Sequence, residues 1–238
     1  MSKHLQRDME NLKQRILEMG SLTERALGAA VEALLERKLD LAESVIQRDE
    51  EIDVREVDIE EECLKVLALH QPVAQDLRFL VAVLKVNNDL ERIGDHAQNI
   101  AKRTVKMTRE GWKESPPPGL RKMADRVLQM LKRSLDALVR MDPQAARAVC
   151  REDDEVDALL KDLFQIQMGR MAEHPDWIPH LMGDLSVARN LERVADLATN
   201  IAEDVVFTVE GEVIRHGGGP EAGSPGNVVP LPRGRTQG

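Results

Sequence analysis

The chain has 238 residues, of which 42% are apolar, 32% charged and only 2% aromatic, with no tyrosine. Its formal charge of −9 excludes the broad basic surface that a general nucleic-acid binder needs to displace counterions, and the shortage of aromatics removes the stacking platforms of single-strand binders. A core must be built from Leu, Val, Ile, Ala and Met, a set that suits packed helices better than sheets.

The N-terminus, from Met1 to Arg15, is charged throughout and does not read as a signal peptide. Apolar residues recur at helical spacing from about Lys3 to Arg37, which predicts a first long helix. Gly20 followed by Ser21-Leu-Thr-Glu24 is a capping-box sequence, so a kink or restart is expected there. Asp40-Leu-Ala-Glu43 is a second capping box and opens a predicted second helix, ending near His70 before Pro72. A third helix follows to about Arg109. It contains the longest apolar run, Phe79 to Leu84, which is far too short to span a bilayer. Lys102, Arg103, Lys106 and Arg109 near its end form a basic stretch suited to a solvated face or to offsetting the helix dipole.

Glu110 to Gly119 is dense in Pro and Gly and predicts a break between two halves. A fourth helix is predicted from about Leu120 to Met141. Asp142-Pro143 then supplies an N-cap and a proline at the first helical position, opening a fifth. His174-Pro-Asp-Trp-Ile-Pro179 separates it from a sixth, which reaches about Glu210. Beyond that the sequence is rich in Gly and Pro without periodicity, as in a disordered tail. The expected organisation is a first three-helix unit over 1–110, a Pro-rich linker over 111–119, a second three-helix unit over 120–211, and the tail over 212–238. Cys63 and Cys150 lie in separate helical segments without metal-type spacing, as small buried residues of a reducing compartment do. A cytoplasmic chain is therefore expected.

The halves repeat. Leu90-Glu-Arg-Ile-Gly-Asp95 with Asn99-Ile-Ala101 recurs as Leu191-Glu-Arg-Val-Ala-Asp196 with Asn200-Ile-Ala202, each residue 101 positions on. Asp49, Ile52 and Asp53 recur as Asp153, Val156 and Asp157, 104 positions on. Two elements recurring in the same order mark a tandem duplication. The expected fold class is all-α, two tandem three-helix bundles related by internal duplication.

Each half carries two acidic pairs spaced four apart: Asp49 and Asp53, Glu91 and Asp95, then Asp153 and Asp157, Glu192 and Asp196. Residues so spaced share a helix face and repel by a few tenths of a kcal/mol when both are charged. Asp49 and Asp153 also stand where the apolar seam calls for hydrophobic residues. If the second and third helices of each half are neighbours, four carboxylates converge along one groove. Unpaired charges near a core need a cation, a basic partner or water. An oxygen-only set suits magnesium, manganese or iron, with Asn99 and Asn200 as possible auxiliary ligands. The alternative is a solvated acidic edge in which Arg92 and Arg193 pair locally.

The stretches Leu90 to Ala101 and Asn190 to Asp204, with Gln71-Pro-Val-Ala-Gln-Asp-Leu-Arg78 and the segment from Met19 to Leu35, closely resemble the paired signature of the PhoU phosphate-uptake regulators. The likeness covers about Leu5 to Gly211. It implies two three-helix bundles with pseudo-twofold symmetry, and multinuclear iron or zinc held by the four acidic pairs. It further implies contact with a phosphate-sensing histidine kinase and with the ATPase subunit of the phosphate ABC transporter, giving negative regulation of phosphate uptake and of the phosphate regulon. Ala195 stands where the first repeat has Gly94; both are small enough for close helix approach. Whether the chain acts as a monomer or a homodimer stays open.

Two rivals compete with a regulator that is not an enzyme. A ferritin-like carboxylate-bridged metalloenzyme would carry Glu-x-x-His pairs, yet no histidine here has a Glu three residues before it, and there is no P-loop, HExxH or nucleophile elbow. His70, His174 and His180 fall near helix ends, and His96 matches Leu197 in the other half. The second rival is a metal-free adaptor whose acidic grooves bind a basic partner.

Overall fold

A computed structural model describes residues 3–112 and 114–211, and among them the secondary structure is helical throughout. The first half is three long antiparallel helices, α1 (Lys3–Glu36), α2 (Leu39–His70) and α3 (Ala74–Arg109). The second is α4 (Pro118–Arg140), α5 (Pro143–Cys150), α6 (Asp153–Glu173) and α7 (Ile178–Glu210), with a short 3₁₀ turn at Pro175–Trp177 before α7. The tail expected over 212–238 lies outside the described residues.

Three local expectations change. The helix predicted from Pro143 to His174 is two helices, broken at Arg151 and Glu152. The break turns Glu152 inward, where it is 8% exposed and accepts charge-assisted contacts from Arg133 and, at 3.7 Å, from Arg126 of α4. Asp153, Asp154 and Glu155 then fill the first turn of α6, where carboxylates are favoured by the helix dipole.

Second, α1 runs through Gly20 without interruption. A Cβ there would lie 2.9 Å from Leu135 Cδ2 of α4, so this glycine serves close helix approach and not a kink. Third, α2 starts at Leu39 with Lys38 as its N-cap and no side-chain cap bond. Asp40 sits in the first turn instead of capping it. The Asp142 cap is as expected, its carboxylate accepting from the backbone of Gln144 and Ala145, both at 3.0 Å.

Leu12, Ile16, Met19, Leu27 and Leu34 of α1 meet Ile52, Ile59 and Cys63 of α2 and Leu80, Leu90, Ile93 and Ile100 of α3, all essentially inaccessible to solvent. This core is continuous with that of the second half, because α3 packs along α7 and α1 touches α4. The trios therefore share one interior and are not beads on a linker. The α3–α7 seam also displays the duplication. Lys85 donates to Asp204 at 2.7 Å, and Arg103 donates to Ser186 at 3.4 Å. Lys85 and Ser186 are equivalent in the two repeats, as are Arg103 and Asp204, so the two contacts exchange under a pseudo-twofold. Trp112 closes the end of this seam, stacked on His180 with ring centroids 4.4 Å apart.

Candidate functional site: the duplicated carboxylate rows

Helices α2 and α3 place Asp49 and Asp53 against Glu91 and Asp95, and α6 and α7 place Asp153 and Asp157 against Glu192 and Asp196. The seam position of Asp49 makes it 9% exposed. Glu91, Asp153 and Glu192 are half-buried, whereas Asp53, Asp95, Asp157 and Asp196 face solvent. Each row therefore has an inner and an outer edge. Of the auxiliary candidates, Asn99 is exposed and Asn200 half-buried.

Burial and mutual repulsion act on the inner carboxylates together. Asp49 is pushed up to about 6, first by loss of water and then by the charges of Asp53 and Asp95. Asp153 reaches about 6 for the same reason, first by burial and then by repulsion from Asp196 and Asp157. Glu91 and Glu192 are also raised, by burial first and then by Asp95 and Asp196 respectively. The couplings run across the helix pairs as well as along them, which is how facing rows behave.

Gly94 sets the spacing in the first half. A Cβ there would lie 2.9 Å from Ile52 Cδ1 and 3.7 Å from Asp49 Oδ1, so the missing side chain lets α3 approach α2 beside Asp49. In the second half Asp153, Glu192, Asp196 and Asn200 line a wider cleft of about 710 Å³ with Arg92 and Arg193 on its wall. Arg92 does pair locally, though not with a carboxylate of the rows. It reaches Asp89 at 3.6 Å, and Arg193 eases the charge of Glu192.

The donor set is carboxylates, joined in the second half by the Asn200 amide, and fits hard or borderline cations in its chemistry; Asn99 lines a separate cleft with His96, Asn190 and Arg193. Among the described residues no three His, Cys, Asp or Glu side chains gather as the ligands of one ion. The rows are close enough to raise one another's pKa across the helix pairs without forming a ligand cluster.

Other charged groups of the interior escape notice in the sequence. Asp89, raised to about 6 by burial and by Asp204, lies beside Leu90 and hides in the motif that follows it. Asp184 is 3% exposed, accepts from Gln167 at 3.0 Å, and is also raised to about 6 by burial. His96 bonds Asn190 at 3.0 Å across the α3–α7 seam, a contact between repeats that an intra-repeat comparison with Leu197 cannot reveal. Cys63 and Cys150 are free thiols pushed up by burial to about 12 and about 11, which suits packing and not reactivity.

Residues 16–104 and 120–205 each match the PhoU domain. The chain is 39% identical over 205 residues to the phosphate-specific transport system accessory protein PhoU homolog of Zymomonas mobilis, covering 86% of each chain. It is 34% identical over 217 residues to the corresponding protein of Escherichia coli, covering 90% of this chain and 88% of that one. The crystal structure of PhoU from Pseudomonas aeruginosa superposes with a TM-score of 0.85 at 35% identity, over 87% of this chain and 99% of the other. That of the phosphate transport system regulatory protein PhoU from Streptococcus pneumoniae gives 0.82 at 29% identity, over 89% and 100%.

Proposed function

The chain belongs to the PhoU family, and from that premise we propose that it is a cytoplasmic negative regulator of phosphate uptake that also holds the phosphate regulon in check. It is an accessory protein of phosphate transport and not an enzyme, in keeping with relatives named for accessory and regulatory roles. In the proposed mechanism the paired trios form a rigid adaptor between the ATPase subunit of the phosphate ABC transporter and a phosphate-sensing histidine kinase. No helix among the described residues is long and apolar enough to cross a membrane, so the adaptor would meet the membrane through these partners.

The observation that carries the mechanistic part is the facing of two oxygen-only rows on the same helix pair in both repeats. Asp49, Asp53, Glu91 and Asp95 would hold one set of cations, and Asp153, Asp157, Glu192 and Asp196 the other, with Asn99 and Asn200 at their margins. Iron, zinc, manganese and magnesium are the candidate ions. A bound cation would supply the positive charge that couples α2 to α3 and α6 to α7, easing the repulsion among the inner carboxylates. The metal-free adaptor draws on the open geometry of the rows, which a basic partner could occupy instead. A deletion strain grown in rich phosphate tests the regulatory role. Phosphate-scavenging genes should be derepressed and repression restored by the wild-type gene; normal repression in the deletion strain would refute it.

A further inference from the structure

Helix α2 has two apolar faces, and packing uses only one. Val45, Asp49, Ile52, Ile59, Cys63 and Val66 point inward to α1 and α3. On the opposite side the positions spaced alternately by three and four, as in a coiled-coil seam, hold Val54, Val57, Leu64 and Ala68, with Glu61 interrupting the apolar run. Val54 is 56% exposed, Val57 50% and Leu64 55%. Scattered surface apolar residues need no explanation, but a stripe in register along about 21 Å of helix does.

The second repeat does not keep it. The equivalent residues of α6 are Ala158, Lys161, Gln165, Met168 and Ala172, so the stripe belongs to the first half alone and is not a requirement of the fold. Its flanks are acidic. Arg55 is engaged by Glu18 and Glu51, and Lys65 by Glu61 and Glu62. Among the described residues no cation lies within ion-pair distance of Asp58 or Glu60, both exposed. Along the α1 side of the stripe runs an open cleft of about 490 Å³, lined in part by Arg15, Glu18, Asp58 and Glu62.

We propose that the outer face of α2 is a docking seat for an amphipathic helix of a partner protein, with an apolar seam set against Val54, Val57 and Leu64 and Lys or Arg at the flanking positions that meet Asp58 and Glu60. Charge selects this occupant. A second copy of α2 would set acids against acids across the seam. An anionic bilayer attracts polybasic segments and repels this one. The tail beyond Gly211 is broken by Gly and Pro and carries no seam spacing. The proposal does not depend on the carboxylate rows being occupied by metal, since Asp58 and Glu60 are not among their residues.

The test uses the full chain and a labelled helical peptide of about 21 residues with Leu at both seam positions and Lys at both flanking positions, measured by fluorescence anisotropy at physiological salt. A peptide with Glu at the flanks is the control. Wild type should bind the Lys peptide and not the Glu peptide. Val57→Lys and Leu64→Lys should each weaken binding about tenfold or more, and Asp58→Lys/Glu60→Lys likewise. Met168→Lys, at the equivalent exposed site of α6, should leave it unchanged. These positions are solvent-facing, so circular dichroism should be the same for all variants. Equal binding by every variant, or by both peptides, overturns the proposal. So does conversion of a wild-type dimer to monomer by Leu64→Lys in sedimentation, which would make a second copy the occupant, or loss of anionic-vesicle binding in that variant.

Discussion

Replacing Asp49 with asparagine removes the charge that α2 buries against α3. The side chain is 9% exposed, and burial with the charges of Asp53 and Asp95 lifts its pKa from 3.8 to about 6. A folded-state value above the unfolded one means that the native state binds the proton more tightly. The stability this contributes is fully present below about pH 4 and is lost as pH rises through about 6. Taken at face value the difference is about 3 kcal/mol; mutual coupling of the carboxylates and access of water reduce it to about 1–2 kcal/mol. Asp49→Asn should therefore be more stable than wild type by about 1–2 kcal/mol at pH 8, and the advantage should vanish near pH 4. Urea unfolding at the two pH values, in chelator so that no cation offsets the charge, measures it directly. A variant less stable than wild type at pH 8 under these conditions would refute the reasoning, because the carboxylate would then be making a favourable contact that its surroundings do not offer.

The remaining expectations concern cations, caps and packing. Manganese added at pH 7.5 should raise the melting temperature, and the same addition at pH 4.5 should not, since protonated inner carboxylates compete with the ion; an equal rise at both values would place the effect elsewhere. Asp142→Ala should cost about 1 kcal/mol, with faster amide exchange confined to the start of α5, which hydrogen exchange reads residue by residue. Leu90→Ala, at a position with no exposure, should cost about 2–5 kcal/mol in urea unfolding. Gly94→Ala gains about 1 kcal/mol of helix propensity but drives a methyl group to 2.9 Å from Ile52 Cδ1. A net loss of up to about 2 kcal/mol is expected from overpacking, and a gain would show that Ile52 rotates away freely.

Helix existence, the chain order of the elements and the twofold repeat were all legible because apolar periodicity and the ERxxD motifs are local signals that survive without knowledge of packing. Proline and glycine marked the ends of α2 and α4 and the junction of the halves for the same reason. The break at Arg151 and Glu152 was not legible. It contains no glycine or proline, and it exists because Glu152 finds Arg126 and Arg133 on another helix, a pairing that only the fold creates. The burial of Asp49 could be anticipated from its seam position, and the facing of the rows from the neighbourhood of the second and third helices in each half. How far apart the outer carboxylates stand depends on rotamers and on the close approach that Gly94 allows, which no spacing in one chain encodes. The α3–α7 contacts were missed because they join different repeats, so aligning one repeat on the other places the partners side by side instead of face to face.

The claim that the two rows are cation-holding surfaces is tested most directly by elemental analysis of the full chain, purified without chelator and dialysed exhaustively. Three proteins should be compared: wild type, a variant with Asp49, Asp53 and Asp95 changed to Asn and Glu91 to Gln, and one with Asp153, Asp157 and Asp196 changed to Asn and Glu192 to Gln. About one ion or more per half is expected in wild type, with each variant losing the share of its own half and keeping the other. Equal metal content in all three proteins, including none in any, would contradict it and leave the rows as acidic seats for a basic partner.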